Sequence, residues 1–130
     1  MSVESAVRAM LADTVGVVYV PDARVTHGYR LQDSILPAIT FELAPVENTT
    51  VGSGFYSVEL TARAIAETTI EAIDIGEGQI RAAIRAGSWD GVTFSAAIYL
   101  GMVVEPPNVG EGDESEPAEA VVTATLHFSR

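Results

Sequence analysis

Residues 68–87 carry a helical apolar period, and on both sides of them the pattern switches to strict alternation of apolar and polar residues. That switch of period constrains the fold more than any other feature. Thr68 with Glu71 three residues on has the form of a capping box, and Gly87 stands where a helix-ending residue in the left-handed region belongs. At about 100° per residue, Ala66, Ile70, Ile73, Ile80 and Ile84 fall on one arc, away from Glu71, Asp74, Arg81 and Arg85. A single long helix with one such stripe must cover a sheet, and the alternating segments are there to supply it.

Those segments are residues 37–44, 55–65, 92–104 and 118–129. The first places Ile39, Phe41 and Leu43 on one face. The second sets Tyr56, Val58, Leu60, Ala62 and Ala64 against Ser57, Glu59, Thr61 and Arg63. In the third, Val92, Phe94, Ala96, Ile98 and Leu100 alternate with Thr93, Ser95, Ala97 and Tyr99, and Pro106 and Pro107 stop the strand. In the fourth, Ala120, Val122, Ala124, Leu126 and Phe128 face the core. Ahead of them, Ser2 caps a first helix running to about Asp13, with Val3, Ala6, Val7, Met10 and Leu11 on one side. Residues 17–20 form a short strand, 21–36 a long loop, 45–54 a hairpin tip, 88–91 a turn and 106–117 an acidic flexible loop. The expected fold class is α+β: a single domain over residues 1–130, mainly an antiparallel sheet with two helices packed on one face, in the order α-β-β-β-α-β-β. Thr40, Glu42, Glu59, Thr61, Arg63, Thr93, Ser95, Tyr99, Thr123, Thr125 and His127 would occupy the uncovered face.

Charge narrows the partners. The net charge is −11, from 18 acidic residues against 7 basic ones, and every base is arginine. A chain so acidic lacks the basic stripe that phosphate neutralisation needs, so specific nucleic-acid binding is not expected. Six acids and no base lie between Glu105 and Glu119, which leaves −5 for the rest of the chain. Glu111, Asp113, Glu114 and Glu116 offer hard oxygens, but not at the spacing of a calcium-binding loop, and they are read as solvated. The absence of cysteine excludes disulfides, thiolate ligands and a cysteine nucleophile. No secretory signal is read at the start, and no apolar run approaches the roughly 20 residues that span a bilayer.

Catalytic motifs do not appear. His27 and His127 have no evident serine and carboxylate companions, no nucleophile elbow surrounds a serine, and a phosphate loop of the Walker type needs a lysine that the chain lacks. The expectation is a protein that is not an enzyme, with no catalytic, cofactor-binding or metal residues. Glu77 is anomalous, because it falls in the apolar arc between Gly76 and Gly78. A buried carboxylate would need a partner, so the favoured account is that the helix kinks or restarts there and turns Glu77 to solvent.

Taken in order, these elements resemble the tail terminator, or tail completion, proteins of long-tailed bacteriophages and gene transfer agents. Leu36-Pro37-Ala38-Ile39-Thr40-Phe41 matches the family's strand that opens on a Leu-Pro pair. Ser57-Val58-Glu59-Leu60 fits its next strand, without the arginine at that strand's start. Thr68 and Ala72 fit its helix opening, and residues 92–104 and 118–129 its two closing strands. The resemblance implies a structural virion protein: a homo-oligomeric ring, usually a hexamer, on the head-proximal end of the tail tube. Such a ring ends tube polymerisation and joins the tail to the neck or head-closure protein. It implies residence at the tail–neck junction after assembly in the host cytoplasm, no cofactor, no membrane, and DNA that passes through without specific binding. On that basis Arg24, Arg30, Arg63, Arg81 and Arg85 are candidates for the subunit interface, and Glu42, Glu59, Thr61, Thr123 and Thr125 for the lumen face. Two rival assignments stand beside it. One is another tail or neck ring component, a tube or head-closure protein; the other is a small-molecule-binding ferredoxin-like domain with a cleft near His27, Tyr29 and Arg30.

Overall fold

The computed structural model describes residues 2–13, 18–21, 24–28, 36–48, 54–107 and 117–129. Helix α1 is Val3–Ala12; strands follow at β1 Val25–His27, β2 Ala38–Leu43, β3 Glu47–Asn48 and β4 Phe55–Ala66. Helix α2, Thr69–Ile75, runs into a π-helical turn at Gly76–Ile80 and a last helical turn, α3, at Arg81–Ala83. Strands β5 Gly87–Trp89, β6 Val92–Glu105 and β7 Ala118–Ser129 complete the chain. The fold is α+β, as expected, but the order contains more strands. The sheet runs β1-β2-β4-β7-β6-β5, with β3 pairing β4 beyond the end of β2. All pairs are antiparallel except β1 with β2, which is parallel, so the sheet is mixed.

Helix α1 forms as its sequence dictates. Ser2 Oγ accepts from the Ser5 N–H at 3.1 Å, and Val3, Ala6, Val7, Met10 and Leu11 are buried. The helix packs against both β1 and β5, strands from opposite edges of the sheet, so the sheet is curled and α1 spans its opening. Arg8 Nε donates to the Val25 carbonyl at 3.1 Å, and Ser5 Oγ bonds Asp90. All helical segments and the inward residues of the sheet share one core cluster. Each aliphatic side chain fully buried there contributes about 1.5–3 kcal/mol of gross transfer free energy.

Four expectations need correction, besides the hairpin tip at 45–54, where Glu47 and Asn48 instead form β3 and pair Ser57 and Tyr56. The stretch 17–20 is no strand where it is described: Val18 to Val20 are irregular, and Val20 is buried as a plug instead. The long loop expected at 21–36 contains β1, whose three residues take their register from β2: Val25 against Ile39, His27 against Phe41. So short a run carries no readable alternation. Of the turn expected at 88–91, only Asp90 and Gly91 turn, with φ of 50° and 80°, the two positive values of a tight hairpin. Ser88 and Trp89 belong to β5.

The fourth correction concerns the central helix. Thr68 Oγ1 accepts from the Glu71 N–H at 3.2 Å, as the capping motif predicts, but the helix ends at Ala83, and Ile84 turns extended at ψ 101°. Gly87 is no cap. It opens β5 at φ +155°, and a Cβ there would stand 2.6 Å from the Trp89 ring. The buried stripe is also turned relative to the isoleucine arc. Ala72, Ile75, Gly76, Gln79, Ile80 and Ala83 are buried, spaced i, i+3, i+4, i+7, i+8, i+11, while Ile70 is 74% exposed and Ala66 belongs to β4. Small residues win the inward face because the helix lies close on the sheet. A Cβ on Gly76 would meet Met102 Sδ at 2.8 Å and Ala120 Cβ at 3.2 Å.

Glu77 accordingly lies outside, bonded to Arg81 Nη1 at 3.0 Å, and the helix does change character there, through the π turn. The polar residue that is buried is Gln79. Its Oε1 accepts from the Tyr19 and Val20 N–H groups at 2.9 and 2.8 Å, and its Nε2 donates to the Val20 carbonyl at 2.8 Å. One side chain thus satisfies three backbone groups of a segment that has no sheet partner. Gly78 lets Tyr19 lie against the same turn, since a Cβ there would be 3.1 Å from the Tyr19 ring.

Candidate functional site: the open face of the sheet

Strands β4 and β7 pair over twelve residues without a break, and their alternation puts every second side chain on the face opposite the helices. Register then assembles that face in rows. Glu42, Thr61 and Thr123 lie side by side across β2, β4 and β7. The next row holds Glu59 and Thr125. All five residues expected on a lumen face are therefore brought together in two adjacent rows. Glu42 and Glu59 are exposed, and the three threonines are half-buried. Beside them is a depression of about 260 Å³ lined by Ala44, Pro45, Glu47, Ser57, Val58, Glu59 and Thr125. Its two carboxylates make it acidic. Thr40, expected on the same face, is buried between Thr26 and Arg63 in register.

Strand β6 completes the face in a way that simple alternation does not foresee. Its register against β7 shifts between Phe94 and Ala96 and again between Tyr99 and Gly101, so Ser95 and Leu100 are extra residues. Each bulge moves the following side chains to the other face. Ala97, Tyr99 and Met102 pack against the core, while Ile98, Leu100 and Val103 are 49%, 56% and 65% exposed. The expectation of Ile98 and Leu100 inward and Tyr99 outward is thus overturned. Tyr99 instead lies under the Arg81 guanidinium, 4.3 Å from its ring centroid. Ile98 stands beside Thr125, Gly101 beside Thr123, and Val103 beside Val121. The open face thus has an acidic half on β2, β3 and β4 and an apolar half on β6, uncharged from Ala96 to Val104 and ending at the exposed Glu105. Beyond Phe94, β6 has no strand on its outer side among the described residues, because β5 pairs only Val92 to Phe94.

The arginines expected at a subunit interface are scattered. Arg24 Nη1 donates to the Pro37 carbonyl at 3.3 Å, tying the start of β1 to that of β2. Arg63 lies on the open face, 3.5 Å from Glu119 Oε2. Arg81 joins Glu77 to Tyr99 on the helix side. Arg85 bonds Asp13 Oδ2 at 3.0 Å, lies over the Trp89 ring and donates to the Ala83 carbonyl at 2.9 Å, while Trp89 Nε1 donates to the same Asp13 oxygen at 3.0 Å. Each of these four has a partner within the chain; Arg30 lies outside the described residues. His27 is exposed and rests on the Phe41 ring at 5.0 Å, and Tyr29 lies outside the described residues. The acids at 111–116 do too. Among the described residues no group of three or more His, Cys, Asp or Glu could hold a metal ion, and no helix is long and apolar enough to cross a membrane.

A scan against protein-family models finds no match for this chain, and a search of curated proteins finds none. The residues missed by sequence reasoning are Ile98, Leu100, Gly101 and Val103. One signal for them was present, a glycine inside an alternating strand, which marks a bulge or a close approach of another chain.

Proposed function

We propose that this chain is a structural assembly subunit that forms a ring on the head-proximal end of a phage-type tail tube, ends tube growth and joins the tail to the neck. The observation that carries the proposal is the open face itself: a sheet with one side covered by helices, and the other divided into an acidic half and an apolar half that runs out to a strand edge with no partner among the described residues. Head-to-tail closure into a ring requires two complementary patches on each subunit, and the apolar half supplies one of them while the acidic half stays free. With Glu42 and Glu59 toward the lumen, the ring repels the phosphates of passing DNA, and the flanking threonines add no positive charge to hold it. On this assignment the subunit does no catalysis.

Light scattering, followed by negative-stain imaging with and without purified tail tubes, tests the proposal. Single rings, or density capping one tube end, are the expected result. Long tubes of the protein alone would make it a tube subunit, and a monomer that ignores tubes would overturn the assignment.

A further inference from the structure

Seven glycines lie in the described residues, and six have a reason within their own subunit. Gly28, Gly54, Gly87 and Gly91 have positive φ, while Gly76 and Gly78 let a sulfur and an aromatic ring come close. Gly101 has neither reason. Its φ is not in the positive range, and a Cβ built there meets nothing within 4 Å among the described residues. It is therefore not the left-handed glycine that some bulges demand. A glycine inside a strand weakens it, yet this one is retained in the middle of β6. No contact among the described residues explains it, and a strand glycine also marks the close approach of another chain.

Gly101 faces outward beside Thr123, flanked along the strand by Ile98 and Val103, and so forms a dent between two exposed aliphatic side chains. Leu100 is exposed next to it, and the strand's outer backbone edge is unpaired among the described residues. Charge selects the occupant. From Val92 to Val104 no residue is charged at neutral pH, Glu105 at the strand's end being the first, whereas the chain as a whole carries −11. A basic partner would be drawn to Glu42, Glu47 and Glu59 on the other half of the face. A second copy, itself at −11, is repelled from that half and meets least repulsion on the uncharged one.

We infer that the β6 strip from Ala96 to Val104 is one half of the contact between neighbouring copies of this chain, with the neighbour's chain approaching most closely at Gly101. This rests on the ring assignment and sharpens it. The neighbour covers the apolar half of the open face and leaves the acidic rows uncovered toward the lumen.

Gly101→Thr separates the two consequences. In the subunit alone the new side chain meets open space and a β-branched residue suits a strand, so the melting temperature of the monomeric variant should rise by about 3–6 °C. Self-association should weaken at least tenfold. Val103→Glu places a charge on the same strip and should weaken association without that rise. Both variants and the wild-type chain are compared by light scattering over a wide concentration range and by imaging on purified tail tubes. Loss of association in both variants, with folding intact, supports the inference. If the variants associate as the wild type does, the strip is not the contact, and the ring assignment is untouched. Wild-type dimers that both variants abolish would support the contact and remove the ring. Variants that still associate but no longer cap tubes would make the tube subunit the occupant and overturn the inference. A wild-type chain that stays monomeric in solution and on tubes overturns both.

Discussion

Strands β6 and β7 lie side by side and share eleven register positions, yet they obey different rules. β7 alternates buried and half-buried residues over its whole length, and each side chain faces where strict alternation predicts. β6 breaks alternation twice and leaves Ile98, Leu100 and Val103 outside. The cause is position. β7 is paired on both sides, with β4 and with β6, so one extra residue would cost ladder bonds on two fronts. Past Phe94, β6 is paired on one side only among the described residues, and bulges are tolerated where a strand has a free edge. The central strand is fixed by its neighbours; the edge strand is free to turn a surface outward.

The sharpest way to break this comparison is to truncate one leucine in each strand. Leu126 in β7 is fully buried, so Leu126→Ala should cost about 3–5 kcal/mol, from lost transfer energy and the cavity left behind. Leu100→Ala in β6 should cost about 0.5 kcal/mol or less, since an exposed side chain leaves no cavity. Urea midpoints at unchanged slope read both. Equal costs would mean that Leu100 points inward, as strict alternation from Phe94 would place it, and that the first bulge is not there.

The helix covering the two strands supplies the next effect. Gln79→Ala removes three hydrogen bonds and strands the Tyr19 and Val20 N–H groups and the Val20 carbonyl, so a loss of about 2–4 kcal/mol is expected. Glu77→Ala, two residues away on the exposed side, should stay within about 0.5 kcal/mol. Hydrogen exchange at the Val20 amide gives an independent readout: protection should fall in the glutamine variant and hold in the glutamate one.

Gly76→Ala then sets the two strands directly against each other, because the new methyl meets Met102 of β6 at 2.8 Å and Ala120 of β7 at 3.2 Å. The thioether can move and the Ala120 methyl cannot. A cost of about 1–3 kcal/mol is expected, with part of it recovered when Met102→Ala is added. No recovery in the double variant would place the conflict wholly on β7.

What the sequence disclosed follows the same division. Helix α1, its Ser2 cap and its five buried residues were legible, as were the faces of β4 and β7, because each has one period throughout its length. The rows of Glu42, Thr61 and Thr123 and of Glu59 and Thr125 followed from that alternation once register aligned the strands. Strands β1, β3 and β5 were not legible, being two or three residues long and shaped by the strand beside them. Nor was the stripe of the central helix. Weight given to isoleucine favoured Ile70 and Ile73, whereas the inward positions went to Ala72, Gly76 and Gln79, whose small size and hydrogen bonds serve close approach. The bulges of β6 are invisible to any argument from alternation, since each converts one regular pattern into another.

The smallest effect tests whether Tyr99 really belongs to the helix side. Strict alternation from Phe94 would put it on the open face, far from α3; the first bulge brings its ring beneath Arg81. Arg81→Met keeps the apolar stem and removes both the contact with the ring and the exposed ion pair to Glu77, so the loss should be about 0.5–1 kcal/mol. Salt divides that figure. The ion pair is screened in 1 M NaCl, whereas the stacked guanidinium, partly shielded by the tyrosine ring, is screened less. Glu77→Gln should therefore lose its effect at high salt, and Arg81→Met should keep about half of its own. If Tyr99→Leu in the Arg81→Met background costs the same as in the wild type, the two side chains do not touch. The first bulge would then have to be withdrawn, and with it the outward turn of Ile98.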